Sequence, residues 1–428
     1  MVIPKNEPRE DDPAVYHSTT TTSIEIDSVN AKQCSIDLNG NRFNDTTTKP
    51  SDDEVPFALF DVDIQVDHIV ESDPEKVYKW NIVWSNVVQI LLLHIIAIGG
   101  FAFVPTANDY SLIFSYIIII ITMIGVQSGA HRLWTHRSYK ANAFLRFILC
   151  LCQTIAGQTN IYRWVRDHRV HHKWSETDAD PHNSNRGFFF SHVGWLLVKK
   201  CPEVYEKGRT IDMSDITADK IVMFQKRFYY PLLIIFWGIL PTFIPVLLWN
   251  EIVFTSFIVC MMQPYFFTLH TTWMVNSWAH MFGGKPYNTK IGPVEATIRH
   301  MMVGEGFHNY HHTYPWDYSA SELGASKVFN LATMFINFFA WIGWATELKK
   351  VDPETIRKRI QKTGDLSAQY SPNHWLREWV GGLLVSLSPL YIPFLVKYGY
   401  LYFAGCLHQQ CEPRFSWSYM DYRLFEMY

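Results

Sequence analysis

Few features of this chain resemble a water-soluble enzyme. No Lys or Arg occurs between residues 80 and 130, and none between 228 and 284. Charged residues make up only 18% of the chain. Seven cysteines among 428 residues form no metal or disulfide framework; Cys150 and Cys152 are too close and too isolated for a redox pair, which fits a reducing compartment. No apolar run comparable to a secretory signal precedes Trp80. The net charge of −3 offers nothing to nucleic acid.

What the chain does have is 48% hydrophobic and 16% aromatic residues, gathered in blocks. Two uncharged or nearly uncharged stretches, 86–105 and 110–129, are followed by a second pair at 229–249 and 252–272. Each is roughly the 20 residues needed to cross a hydrocarbon core of about 30 Å. The expectation is an all-α integral membrane protein with four transmembrane helices in two tight hairpins. Between the hairpins lie Arg132, Arg166, Arg169, Lys199, Lys200 and Arg227, so the positive-inside rule puts 131–228 in the cytosol, together with 273–368. Residues 1–55, rich in Ser, Thr, Asp and Asn, are expected to form a disordered cytosolic tail.

Histidine supplies the chemical signal. His131 pairs with His136, and two further clusters, His168/His171/His172 and His308/His311/His312, repeat the spacing i, i+3, i+4. On a helix that spacing turns three imidazoles to one side. A lone histidine is usually just a hydrogen-bonded residue. Eight clustered donors, however, exceed the four of an ordinary closed zinc site and point to two metals. Imidazole suits zinc, copper, iron and nickel, so ligand type leaves the metal open. If the second apolar helix continues past the bilayer, His131 and His136 emerge at its surface, where converging hairpins would bring all three clusters together.

The residues around the clusters resemble the membrane-bound acyl-CoA desaturases of animals, the stearoyl-CoA type and its insect relatives. The likeness rests on His131-Arg-Leu-Trp-Thr-His136-Arg-Ser-Tyr-Lys, on Asp167-His-Arg-Val-His-His-Lys-Trp-Ser-Glu-Thr-Asp-Ala-Asp-Pro-His-Asn183 and on Gly304-Glu-Gly-Phe-His-Asn-Tyr-His-His-Thr-Tyr-Pro-Trp-Asp-Tyr318. It covers residues 56–368, the expected desaturase domain, in which a cytosolic helical part carrying a His-rich di-iron centre caps the membrane helices. The resemblance implies two iron ions, with His280 as ninth ligand and Asn276 reaching iron through water. It implies dioxygen as co-substrate and a fatty acyl-CoA as substrate, with Δ9 placement of the new double bond foremost. Gln158, Trp164, Thr272 and Trp273 match the bend of an acyl tunnel, and Ile119 and Met123 lie near its floor. Asn86, Arg166, Asp167, Lys199 and Lys200 match coenzyme A contacts. Two positions depart from the family: Ser85 precedes Asn86 where relatives often carry Arg, and Thr159 follows Gln158 where vertebrates usually have Asn.

Acids should orient the imidazoles, and Asp167 and Glu305, beside ligand positions, are the preferred choices among Glu176, Asp178, Asp180 and Asp317. No His-Pro-Gly-Gly haem motif occurs, which implies cytochrome b5 and its NADH-dependent reductase as separate electron donors in the endoplasmic reticulum membrane. A related His-box hydroxylase and a non-catalytic membrane scaffold or lipid sensor are the alternatives. Residues 369–428 do not resemble the family. Their apolar segment 379–396 contains Pro389 and Pro393, which weighs toward an interfacial or re-entrant piece, with a fifth span as the other reading.

Overall fold

The computed structural model describes residues 81–368 and 375–409. The expected tail at 1–55 lies outside them. The first apolar helix, α1 (Trp84–Thr106), tightens at its end around Pro105 and passes through a short link into α2 (Asp109–Thr135). Asn108 caps α2, its side chain accepting from the Tyr110 amide at 2.9 Å. The second pair is α5 (Tyr229–Trp249) and α6 (Val253–Met281). Between the pairs lie α3 (Ala143–Ala156) and α4 (Ile161–Lys173); after them come α7 (His308–Thr313), α8 (Leu331–Trp341) and α9 (Trp375–Gln409). Two minimal antiparallel ladders, Lys140–Ala141 with Ala345–Thr346 and Gly283–Gly284 with Glu295–Ala296, tie down the loops.

Glu251, the single acid between residues 228 and 284, is buried where the two hairpin turns meet. Its Oε2 accepts from the Asn108 amide at 2.8 Å and from the Ser111 hydroxyl, to which the Trp249 indole donates at 2.8 Å. A carboxylate so partnered bears burial, and it locks the turn tips together. Along the apolar helices, Leu91, Leu92, Ile95, Leu247 and Leu248 stand exposed, the last two at 77% and 73%. Water would penalise such a surface, whereas lipid matches it.

Helix length is what brings the chemistry to one place. At 1.5 Å per residue, the 27 residues of α2 and 29 of α6 extend about 40 Å and 43 Å, beyond a hydrocarbon core of about 30 Å. Both therefore run past the expected ends at 129 and 272. In α2 the extension Gly125–Thr135 is wound in wider π-type turns, which rotate His131 relative to a regular helix. Its base is clamped by α3: a Cβ on Gly125 would meet the Cys152 carbonyl carbon and Gln153 amide nitrogen at 2.3 Å. Leu145 and Leu149 of α3, Ile161 and Val165 of α4 and Ile336 of α8 form one fully buried core beside this junction.

Five helices among the described residues are long and apolar enough to cross a membrane, one more than expected. The fifth is α9, which stays helical through Pro389 and Pro393. Gly125→Ala should force α2 and α3 apart at cost of about 1–3 kcal/mol. A lowered midpoint in thermal unfolding of the detergent-solubilised protein would register it, and an unchanged midpoint would contradict the clamp.

Candidate metal centre

The local folding of each histidine segment is readable in its caps. Asn160 accepts from the Arg163 amide at 2.9 Å and starts α4, whose next turns carry His168, His171 and His172. Glu295, from the Gly283–Gly284/Glu295–Ala296 ladder, accepts at 2.8 Å from the Tyr310 amide in the first turn of α7. That anion sits at the positive end of a short helix holding His308, His311 and His312. Val303 and Gly304, both at positive φ, make the sharp approach to it.

The helices bring the imidazoles into two adjoining groups. His131, His136, His168, His172 and His311 form one; His171, His280, His308 and His312 form the other. Within each, one ligand atom per residue lies within 4.8 Å of all the others. His131 Nε2 is 2.9 Å from His311 Nε2, His311 Nε2 is 3.1 Å from His172 Nε2, and His308 Nε2 is 3.1 Å from both His280 Nε2 and His312 Nε2. A metal bonded at about 2.1 Å to two imidazoles at right angles places their nitrogens about 3 Å apart. The spacing therefore fits the edges of coordination polyhedra. Buried His136 Nε2 has no hydrogen-bond partner within the protein, as expected of a ligand atom.

Three carboxylates hold the outer nitrogens. Glu305 Oε2 lies 3.3 Å from His131 Nδ1, Asp180 Oδ1 3.0 Å from His171 Nδ1, and Glu176 Oε1 3.3 Å from His280 Nδ1. Asp180 and Glu176 accept from Nδ1, which leaves Nε2 bare for metal, while Glu305 stands against His131 Nδ1 as a close charged neighbour. Burial resists the charge on Glu305, yet Arg132 and His131 beside it hold its carboxyl down at about 2. Burial likewise opposes charge on Asp180, and the facing His171 and His182 hold it below the usual carboxylate range. His136, His168, His172, His308, His311 and His312 are pushed well below the ordinary 6.5, first by burial and then by neighbouring imidazoles.

Two of the preferred orienting acids part company. Glu305 meets an imidazole, whereas Asp167 meets Lys200 at 2.7 Å and Arg166 at 3.2 Å. Asp180 and Glu176, less favoured in the sequence, take the imidazole partners; their distances of nine and more than a hundred positions from His171 and His280 correspond to no local spacing. Arg132 was not singled out as a functional residue. It is 1% exposed and donates to Glu305, to Thr333 Oγ1 at 2.8 Å and to the Tyr318 carbonyl at 3.0 Å, fixing the first cluster against the third.

Beside the histidines opens a cavity of about 100 Å³. Gln158, Trp164, Asp167, Thr272, Trp273 and Asn276 line it, as do His168 and His182. Gln158 Nε2 donates to Thr272 Oγ1 at 3.0 Å, pinning the loop after α3 to α6. Asn276 lies on α6 one turn beyond Thr272 and one turn before His280. Asn86 donates to the carbonyl of Leu196, another lining residue, at 2.8 Å. Lys199 is held by its backbone amide on Asn81.

Helices of membrane-crossing length that end in nine clustered imidazoles able to hold metal ions, with a narrow apolar cavity alongside, define the class as a membrane protein. A fatty acid desaturase profile matches residues 110–325. The chain is 50% identical over 315 residues, 73% of its own length and 88% of the other, to acyl-CoA Δ9 desaturase of Acheta domesticus. It is 49% identical over 290 residues to stearoyl-CoA desaturase of Sus scrofa, covering 68% and 80% of the two chains. It is 46% identical over 292 residues to stearoyl-CoA desaturase 5 of Bos taurus, covering 68% and 87%. The chain belongs to the fatty acid desaturase family.

Two outcomes follow from the cage. Asp180→Asn should lower metal affinity about 10–100-fold, the usual effect of altering a partner of a metal ligand; metal analysis after dialysis against graded chelator reads it, and wild-type retention would contradict the orienting role. Because the buried imidazoles take up protons only well below 6.5, the unfolded chain binds more protons there. Apo-protein stability should therefore fall as pH drops below about 6.5. Thermal midpoints measured from pH 8 to about 5 check the sign, and a rise on acidification would refute it.

Proposed function

We propose that this protein is an oxygen-dependent acyl-CoA desaturase of the endoplasmic reticulum membrane, introducing a double bond into a fatty acyl chain, most naturally at the Δ9 position. The observation that carries this reading is the nine-histidine cage opening directly on an apolar cavity, in a chain 50% identical over 315 residues to a Δ9 desaturase.

His131, His136, His168, His172 and His311 would hold one iron, and His171, His280, His308 and His312 the other, with Asn276 contributing through water. Bound there, the irons supply the activation of dioxygen that removal of two vicinal hydrogens from an unactivated methylene requires. The protein's share is geometry and exclusion. Glu305, Asp180 and Glu176 keep the Nε2 atoms turned inward. Burial keeps the clustered imidazoles neutral, which ligands must be.

The acyl chain would pass Gln158, Trp164, Thr272 and Trp273 and end against Ile119 and Met123 of α2. Those two are buried against Val303 and Phe267. Arg166, Asp167, Lys199, Lys200 and Asn86 would receive the coenzyme A portion at the mouth. The apolar hairpins α1–α2 and α5–α6 would span the bilayer, with the cage, residues 131–228 and 273–368 and the tail 1–55 on the cytosolic side. Electrons would come from cytochrome b5 and its reductase.

Expression in yeast lacking its own desaturase, with lipid mass spectrometry, tests the reading. New double bonds should appear and fall by more than about 100-fold in His171→Ala, a larger loss than altering a ligand's partner brings. Hydroxylated acids, or no product from membrane-inserted protein with bound iron, would overturn it.

A further inference from the structure

Helix α9 lies wholly outside the stretch matched by the family profile, yet it packs on the element that ends the proposed acyl path. Its two ends are fastened on opposite sides of the apolar bundle. Near its start, Glu378 is 5% exposed and bonded to Arg299 at 2.6 Å and to His300 at 3.0 Å, a few residues before the third histidine cluster. Further on, Lys397 Nζ meets Asp109 Oδ1 at 2.5 Å and the Ala107 carbonyl at 2.7 Å, in the turn between α1 and α2. The Tyr398 hydroxyl donates to Asp109 Oδ2 at 2.5 Å. Glu378 and Lys397 are about 28 Å apart along a helix, close to the thickness of a hydrocarbon core.

Midway between these anchors, Val385, Ser386, Ser388 and Pro389 face Ile119 and Met123 of α2 across a residual cavity of about 10 Å³, room for about one water. Ile119 and Met123 are thus one side chain thick, with α9 directly behind them. Gly382 lets α9 pass close to the segment before α8: a Cβ there would stand 3.1 Å from the Phe329 Cβ. Pro389 has no amide hydrogen for the Val385 carbonyl, and the Ser388 hydroxyl donates to that carbonyl instead at 2.6 Å. Ser386 is 6% exposed, and its hydroxyl lines the cavity without a partner. A buried unpaired hydroxyl costs stability, so pure packing would have favoured alanine there.

We propose that α9 is a fifth membrane span and that its turn at residues 385–389 forms the outer wall of the acyl chain's blind end, limiting the length of chain accepted. The inference rests on the acyl-CoA reading above. With so little space left, bulk added at position 386 can only press Ile119 and Met123 into the path. Ser386→Phe should therefore lower turnover of stearoyl-CoA relative to palmitoyl-CoA by about tenfold or more, the scale of one or two methylenes in a fitted apolar site. Ser386→Ala should leave that ratio unchanged.

A second measurement is independent of any variant. A stearoyl-length acyl-CoA bearing a diazirine at its methyl end, photolysed in full-length wild-type protein reconstituted with iron in nanodiscs, should label residues 385–389 as well as α2. A glycosylation acceptor appended after Tyr428 should be modified in microsomes. Label on α2 with none at 385–389, an unchanged stearoyl-to-palmitoyl ratio in an active Ser386→Phe protein, or an unmodified acceptor beside a working control would each overturn the proposal. Turnover of stearoyl-CoA by the same wild-type membranes separates the two readings. Its absence removes the acyl-CoA assignment and this inference with it, whereas turnover without label at 385–389 removes the wall alone.

Discussion

Nine imidazoles with their Nε2 atoms turned on one another are the constraint around which the rest of this fold is arranged. Neutral imidazole nitrogens about 3 Å apart present lone pairs to lone pairs unless a proton or cation lies between them. A shared proton serves only one pair at a time, and His171 and His280 spend their single N–H at Nδ1 on Asp180 and Glu176. A metal ion, which both clusters are placed to hold, could satisfy several nitrogens at once and requires them neutral. Every large structural feature then has a cause. The carboxylates at Nδ1 hold the rings, Arg132 neutralises the buried Glu305 that holds His131, and the overlong α2 and α6 deliver ligands that would otherwise end at the membrane surface.

Helix winding is the second level of this arrangement. A membrane helix fixes position along the bilayer normal well but rotation poorly, and the cage tolerates little rotational error. The π-type turns from Gly125 to Thr135 reset the rotation of α2 just before His131. They leave some carbonyls with unusual partners: the Thr135 hydroxyl donates to the Ala130 carbonyl at 2.8 Å, and the Ser138 hydroxyl to that of Arg132 at 2.9 Å. Wide turns are rare and cluster at functional sites because they move one side chain without moving the helix. The contact of Gly125 with the backbone of α3 fixes where the change begins.

Much of this was legible from the chain alone wherever a local rule applied. Apolar runs of membrane length located four of the long helices, and the i, i+3, i+4 histidines marked α4 and α7, because both signals follow from helix geometry within a few turns. Rules of that range could not pair Asp180 with His171 or Glu176 with His280, since tertiary folding decides which acid reaches which ring. His280 illustrates the same limit from the other side. Far along its helix from His270, it carried no i, i+3, i+4 signal, and only likeness to a family singled it out. At Pro389 and Pro393 the proline rule counts lost hydrogen bonds, and Ser388 supplies a substitute for the first of them, so the helix runs on through both.

Next to the cavity, at Asp167, two cations are held in place without destabilising the protein. Lys200 and Arg166 both bond to Asp167, whose carboxyl these cations and Arg163 hold below the usual range against the opposing effect of burial. An isolated pair of cations at that place would repel each other and swing freely on long side chains. The carboxylate between them removes the repulsion, fixes both, and still leaves the trio net positive. A phosphate-bearing ligand would then meet cations already in position, so less rotamer entropy would be lost on binding than with free lysines and arginines. Asp167 also lines the cavity that reaches His168. One acid therefore links two fixed cations to the cavity that reaches His168.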